Sequence, residues 1–143
     1  MNIYKELDII DLFEEKFGNQ ESVKRACDFM ASYLAGMQRP LPEIAAQGLV
    51  VAIKYKEGSA LPGELEIARK RIADFLKERG AQLNYSTVEY RMAHAVEAIL
   101  ISYQNPTWGG GASELVSIFL DVTETFESNC DLMRTLLKEY FSL

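Results

Sequence analysis

The chain has 143 residues, of which 48% are hydrophobic and 25% are charged, proportions typical of one folded globular domain. Fifteen Lys and Arg against twenty-one Asp and Glu give a net charge of -6. The hydrophobic and charged fractions argue against disorder. The negative net charge argues against a nucleic-acid surface and favours small molecules or basic proteins as partners. We therefore expect a single domain over residues 1–143 that does not bind nucleic acid.

The apolar segments and the cysteines indicate the compartment. The first ten residues contain three charged side chains, which interrupt the apolar core that a signal peptide needs. The most apolar stretch, 48–53, is far shorter than the roughly 20 residues of a membrane span. Cys27 and Cys130 have neither C-x-x-C spacing nor the cysteine density of a secreted scaffold. We expect a cytoplasmic protein with reduced thiols and no membrane partner.

Apolar residues at steps of three and four predict two N-terminal helices. The first runs over about Ile3–Phe17 and ends at Gly18, and the second runs over about Gln20–Met37 after Asn19 as its N-cap. The residues expected in the core are Ile3, Leu7, Ile10, Phe13 and Phe17, followed by Val23, Ala26 or Cys27, Met30, Tyr33 and Leu34.

Proline and glycine bound the third and fourth predicted helices, which lie between Pro42 and Gly58 and between Pro62 and Gly80. The third is apolar nearly all round, so we expect it to form the buried centre. Gly48 in its middle lowers helix stability by about 1 kcal/mol relative to Ala, which indicates that another helix crosses closely there. The core stripe of the fourth is Leu65, Ile72, Phe75 and Leu76.

A fifth helix is predicted from about Thr87, after a capping box of Ser86 and Glu89, to Asn105-Pro106. Residues 112–142 are helical by pattern, either as one helix or as two that break near residues 127–130. Short connections between amphipathic helices predict an all-α fold, a compact antiparallel bundle of six or seven helices.

One histidine and two distant cysteines do not supply the ligands of a zinc or di-iron site, so we expect no metal and no cofactor. Tyr90, His94, Glu97 and Ile101 instead line the side of the fifth helix opposite its core stripe. This mixed strip is suited to contact with a partner. The alternative is that the fifth helix is central and buries this side against another helix.

Three consecutive glycines follow Trp108 and precede the next helical segment. Free N–H groups at such a helix start are typical of anion sites, but neither a G-x-x-x-x-G-K-[ST] motif nor a βαβ unit accompanies them. Trp108 is a candidate contact residue, because tryptophan is enriched at binding hot spots. The alternative is that it packs the loop onto the bundle.

Acidic residues are concentrated in the C-terminal half, where residues 80–143 hold eight acids and three bases, against five acids and seven bases in 54–79. If the last helix is continuous, four carboxylates follow one side of it. They form an acidic ridge of Asp121, Glu124, Glu127 and Asp131. The ridge is interpreted either as a solvated face or as a docking surface that steers a basic partner.

Without a nucleophile arrangement, a metal cluster or a nucleotide loop, the sequence favours a binding protein over an enzyme. Its size, acidic charge and helical pattern resemble the small bacterial immunity proteins of contact-dependent growth inhibition, several of which are all-helical. The resemblance implies a cytoplasmic inhibitor that binds a cognate toxin domain, often a basic nuclease, and covers its active site. The alternative is a helical adaptor or self-associating domain that uses an apolar helix face.

Overall fold

The computed structural model describes residues 7–37, 41–84, 86–100, 111–123 and 130–142. Within these ranges the chain forms helices and no strand, which confirms the predicted all-α bundle. The seven helices are α1 (Asp8–Phe17), α2 (Asn19–Ala35), α3 (Glu43–Lys56), α4 (Pro62–Glu78), α5 (Val88–Ile99), α6 (Ala112–Thr123) and α7 (Cys130–Phe141).

The centre of the bundle is α2, which packs against α1, α3, α5, α6 and α7. Ten of its 17 residues are buried. The prediction that the third helix forms the buried centre is therefore wrong. That helix, α3, leaves Val50 50% exposed, because it packs on α2, α4 and α5 and keeps one side in water. The apolar residues of α3 lie on all sides of the helix, but not all of them need to be buried, since single exposed aliphatic side chains are common on protein surfaces.

A row of aromatic rings joins α2 to three of its neighbours. Phe13 meets the edge of Phe141 at 5.5 Å between ring centroids, and Phe141 lies 6.3 Å from Phe29. Phe29 stacks on Tyr33 at 6.3 Å, and Tyr33 meets Phe119 edge-on at 5.8 Å. Each such pair contributes about 0.5–1.5 kcal/mol beyond its buried area, so the row ties α1, α7, α2 and α6 together.

The close crossing expected at Gly48 is confirmed. A Cβ atom at this position would lie 2.9 Å from Ile72 Cδ1 of α4 and 2.9 Å from Val96 Cγ1 of α5. Both distances are shorter than carbon atoms in van der Waals contact allow. The glycine therefore lets α4 and α5 approach the backbone of α3.

The junction of α1 and α2 differs in detail from the prediction. Gly18 has a φ of 89°, in the region that favours glycine, and α1 ends there as expected. However, Asn19 is already the first residue of α2, and no side chain caps this helix start, so the predicted Asn19 N-cap is wrong. Phe17, expected in the core, is 48% exposed, and its ring centroid lies 4.6 Å from that of the buried Phe13.

The start of α5 is capped one residue later than predicted. The Thr87 hydroxyl accepts a hydrogen bond from the Tyr90 N–H at 3.2 Å, so Thr87 is the N-cap. The hydroxyl of Ser86 donates instead to Asn84 Oδ1 at 2.6 Å. The predicted capping box of Ser86 and Glu89 is therefore wrong, although a hydroxyl residue does cap the helix as such sequences favour.

Helix α5 ends earlier than predicted, and two separate helices, α6 and α7, follow it. Helix α5 ends at Ile99, and Leu100 has a ψ of 63°, outside the helical region, so the predicted continuation to Asn105 is wrong. Residues 101–110 and 124–129 lie outside the described residues. Of the two possibilities left open for 112–142, the structure shows two helices, α6 and α7, and both pack on α2.

The thiol of Cys27 lies in the core of α2 and is 2% exposed, in agreement with its prediction as a core residue. Burial raises the pKa of this thiol, and the carboxylate of the adjacent Asp28 raises the pKa further. Since the thiolate is the reactive form of cysteine, Cys27 is expected to react slowly in the folded protein.

Replacing Gly48 with Ala is expected to destabilise the protein by about 1 kcal/mol. Overpacking of the crossing costs about 1–3 kcal/mol, which exceeds the gain in helix propensity of about 1 kcal/mol. Gly63→Ala in the first turn of α4 is the matched control, because its Cβ meets nothing within 4 Å. It should raise stability slightly. Urea unfolding compares the two, and equal stability of both variants would contradict the close crossing.

Cys27 is expected to resist thiol reagents until the protein unfolds. In a Cys130→Ser variant the only remaining thiol is Cys27. The absorbance of the aromatic thiolate released from an aromatic disulfide reagent therefore reports on Cys27 alone. Labelling should be slow in buffer and complete in guanidinium, since reaction requires an accessible thiolate. Rapid stoichiometric labelling of the native variant would show that the core around α2 opens readily.

Candidate functional site

The structure describes the predicted acidic ridge only at its two ends. Asp121 is exposed near the end of α6, and Asp131 is exposed in the first turn of α7. Asp131 forms an ion pair with Arg134 at 3.6 Å. The two central positions, Glu124 and Glu127, lie outside the described residues. The ends of the ridge thus belong to different helices.

Of the candidate strip on α5, the structure buries His94 and leaves Tyr90 and Glu97 partly exposed. His94 is 7% exposed, and its Nε2 atom lies 3.0 Å from the carbonyl oxygen of Ala81. Its Nδ1 atom lies 3.7 Å from Glu97, whose side chain is 31% exposed. Tyr90 is half-buried. His94 is thus buried against Ala81, in the segment between α4 and α5, and not against another helix as the alternative expected. Ile101 and Trp108 lie outside the described residues.

Both ends of α6 are held by side chains from distant helices. At its start, the Ala112 N–H donates to Oε2 of Glu14 on α1 at 3.2 Å. At its end, Arg91 of α5 donates from Nη1 to the carbonyl oxygens of Asp121 and Val122 at 3.1 and 3.3 Å. A carboxylate at the amino end and a guanidinium at the carboxyl end both match the helix dipole. The helix start after the glycine triplet is therefore occupied by the chain's own anion.

Exposed carboxylates lie on two neighbouring helices, α1 and α6, which pack against each other. We call these exposed carboxylates together the acidic face; they are Asp8, Asp11 and Glu15 on α1 and Glu114 and Asp121 on α6. A shallow groove runs between the two helices where the α1 carboxylates approach the start of α6. The same helices expose two aliphatic side chains, Leu12 at 53% and Ile118 at 43%. Sequence reasoning missed the face because about 100 residues separate its two halves.

A second depression, of about 760 Å³, lies where the α1–α2 junction meets the end of α3 and the start of α4. Its charged residues are Lys24, Lys56 and Glu21, and Phe17 and Leu61 expose apolar surface. We call it the lysine groove; it is lined by Phe17, Gln20, Glu21, Lys24, Tyr55, Lys56, Gly58, Ala60, Leu61 and Pro62. The basic excess of residues 54–79 was the only sequence signal for it.

Lys56 at the edge of the lysine groove is fixed by two hydroxyl groups. Its Nζ atom donates to Ser32 Oγ of α2 at 3.0 Å and to the Tyr140 hydroxyl of α7 at 2.5 Å. The two hydroxyl oxygens lie 2.6 Å apart, so they also share a hydrogen bond. Side chains from three helices thus hold the ammonium group in one position.

In the part of the chain that the structure describes, no group of three or more His, Cys, Asp and Glu residues could hold a metal ion. None of the described helices combines the length and the apolar character that crossing a bilayer requires. Comparison of the chain with protein-family models, with curated proteins and with solved structures finds no match. The case for a function therefore rests on the two charged surfaces.

Replacing Glu14 with Ala is expected to destabilise the protein by about 0.5–2 kcal/mol, the range for loss of a helix cap. Amide exchange at Ala112 should accelerate, because its N–H loses its acceptor. Glu15→Ala is the matched control, since Glu15 is exposed and an exposed substitution shifts stability by about 0.5 kcal/mol or less. If the two variants unfold at the same urea concentration, Glu14 does not stabilise α6.

Proposed function

We propose that the chain is a cytoplasmic binding protein that inhibits a basic protein partner, as an immunity protein does with its toxin. The observation that carries this proposal is the acidic face on α1 and α6. It joins five exposed carboxylates to two exposed aliphatic side chains on a protein whose net charge is -6.

The acidic face suits a basic protein for two physical reasons. Its carboxylates attract a positively charged surface over several ångströms and raise the rate of encounter. The side chains of Leu12 and Ile118 supply apolar contact, which slows dissociation once the surfaces meet. In this arrangement the charges raise the association rate and the selectivity, while the apolar contacts lower the dissociation rate of the complex.

A nuclease toxin is the partner class that fits this surface best. An enzyme that acts on nucleic acid presents a cationic surface, because its substrate is a polyanion. Carboxylates spaced along two adjacent helices would bind the same cationic surface and so compete with the nucleic-acid substrate. The same negative potential repels nucleic acid, so the chain itself is not expected to bind it.

Charge reversal on α1 tests this proposal. Asp11→Lys with Glu15→Lys changes two exposed residues of the acidic face and brings the net charge from -6 to -2, since each replacement removes one negative charge and adds one positive charge. Glu66→Lys with Asp74→Lys is the matched control. It gives the same net charge on α4, which packs on α3 and α5. Only the first pair should weaken binding, by about tenfold or more if close charge pairs form.

The assay is co-expression in a bacterial host with the polypeptide encoded immediately upstream of this chain's gene. That polypeptide should arrest growth when expressed alone, and the wild-type chain and the α4 variant should restore it. Failure of the α1 variant to restore growth supports docking through the acidic face. Equal protection by both variants would overturn the docking surface, and an upstream product that neither arrests growth nor binds would overturn the immunity function.

The exposed aliphatic residues Leu12 and Ile118 favour a second candidate, an adaptor or self-associating domain that uses an apolar face. Ionic strength distinguishes the two. Binding steered by charge loses association rate between low and high salt, whereas binding through apolar contact changes little.

A further inference from the structure

Most of the net charge of the chain lies on α1 and α6. The two helices together contain six Asp and Glu and one Lys, a net charge of -5, against -6 for the whole chain. Among the described residues, no hydrogen bond or ion pair involves the exposed side chains of four of these acids, which are Asp8, Asp11, Glu15 and Glu114. Their negative charge is therefore not balanced within the described part of the chain.

Helix stability accounts for only part of this charge. Asp8 and Glu114 lie in first turns, where the helix dipole favours a carboxylate. Glu15 lies in the last turn of α1, which ends at Phe17, and there the same dipole disfavours a negative charge. Asp11 and Glu15 are also four residues apart, a spacing at which like charges destabilise a helix. A cationic surface bound to α1 would relieve both unfavourable effects.

The two helices expose the same order of residues, in which one aliphatic side chain lies between two acids. We call these two sets the acidic stripes; they are Asp8, Leu12 and Glu15 on α1 and Glu114, Ile118 and Asp121 on α6. In both, the aliphatic residue follows the first acid by four positions and the second acid follows by three more, so all three share one side of the helix. The helical rise places the acids about 6 Å and about 4.5 Å along the axis from the aliphatic residue.

The charge and the apolar residues of the acidic stripes restrict what can cover them. Nucleic acid, an anionic membrane and the same face of a second copy are all negatively charged, so each is repelled. A polybasic segment without apolar residues would leave Leu12 and Ile118, which are 53% and 43% exposed, in water. The complementary surface therefore has apolar side chains between cationic ones. An amphipathic helix supplies that order with the same rise per residue.

We propose that the acidic stripes bind a basic amphipathic α-helix of the partner protein. Its apolar residues lie against Leu12 and Ile118, and its Lys and Arg side chains lie against the carboxylates on either side. The groove of about 440 Å³ beside Asp11 and Glu15 receives one of these cationic side chains. The identity of the partner rests on the proposed function, since the helix would belong to the toxin domain.

The experiment measures binding of a synthetic peptide of about 18 residues, or about five helical turns, to the full-length chain. The peptide consists of Leu and Lys, with Leu on one side of the helix and Lys on the other. The control peptide has the same composition in an order that distributes Leu around the helix, so it has the same charge and no apolar side. Fluorescence anisotropy of a label on each peptide reports its binding.

The amphipathic peptide should bind saturably and about tenfold more tightly than the control peptide, because only its apolar side can cover the aliphatic residues of the stripes. Its helix content should also rise on binding, as measured by circular dichroism of the mixture against the separate components. Attraction between charges alone would hold both peptides equally and would not require a helix.

Leu12→Gln with Ile118→Gln removes the aliphatic residues of the stripes and keeps the charge. This pair should weaken binding of the amphipathic peptide about tenfold, because the apolar contact is lost. Val50→Gln with Ile67→Gln is the matched control, since these residues are 50% and 56% exposed on α3 and α4, and it should leave the affinity unchanged. Neither pair should alter the affinity of the control peptide.

A second pair of variants tests the charge without touching the aliphatic residues. Glu15→Gln with Glu114→Gln removes two unbalanced carboxylates and should weaken binding of both peptides, chiefly at low salt. Glu66→Gln with Glu78→Gln, on the exposed side of α4, makes the same change in net charge and should have a smaller effect. Thermal unfolding confirms that all variants are folded.

Three results would overturn the helix-binding surface. They are the absence of saturable binding, equal affinity of the two peptides, and α1 and α6 variants that bind the amphipathic peptide as tightly as their controls. Each leaves the growth assay of the proposed function unaffected, since any contact that blocks the toxin restores growth. Conversely, an upstream product that neither arrests growth nor binds overturns the immunity function, while peptide binding that depends on the stripes would still establish a helix-binding surface.

Discussion

Burial of α2 is the constraint on which the rest of the structure depends. Five helices pack around it, and ten of its 17 residues are buried. The aromatic row fixes the arrangement, because Phe29 and Tyr33 of α2 meet rings of α7 and α6. Helix α4 lies in a second layer, on α3 and α5, and reaches the first layer closely at Gly48.

The central position of α2 leaves the outer helices to carry the exposed charge. The acidic face depends on the relative placement of α1 and α6, and that placement is stabilised by the hydrogen bond from Ala112 to Glu14. Arg91 holds the other end of α6 from α5. The hydrogen bond from Ala112 to Glu14 therefore both caps α6 and fixes the position of the acidic face. Loss of the Glu14 carboxylate would loosen the helix that carries half of the proposed docking surface.

Local patterns predicted the helices well, because the period of the apolar residues and the glycine and proline stops act within a few residues. Gly48 is the best example, since its unfavourable helix propensity correctly indicated a close crossing. Contacts between distant parts of the chain are not marked by any such local pattern in the sequence. The pairing of Glu14 with Ala112 spans 98 residues, and that of Lys56 with Tyr140 spans 84. Both surfaces arise from contacts of this kind, so sequence reasoning identified neither.

The two surfaces meet along α1, which has Asp11 and Glu15 on the acidic face and Phe17 in the lysine groove. Ten residues of helix span about 15 Å, so the two surfaces lie within that distance of each other along α1. At physiological ionic strength the Debye length is about 8 Å, which screens most of the interaction between solvent-exposed charges at that distance. The charges of the acidic face should therefore have little effect on the lysine groove at physiological ionic strength and a larger effect at low salt. Any coupling that persists at high salt would have to pass through the position of α1 itself.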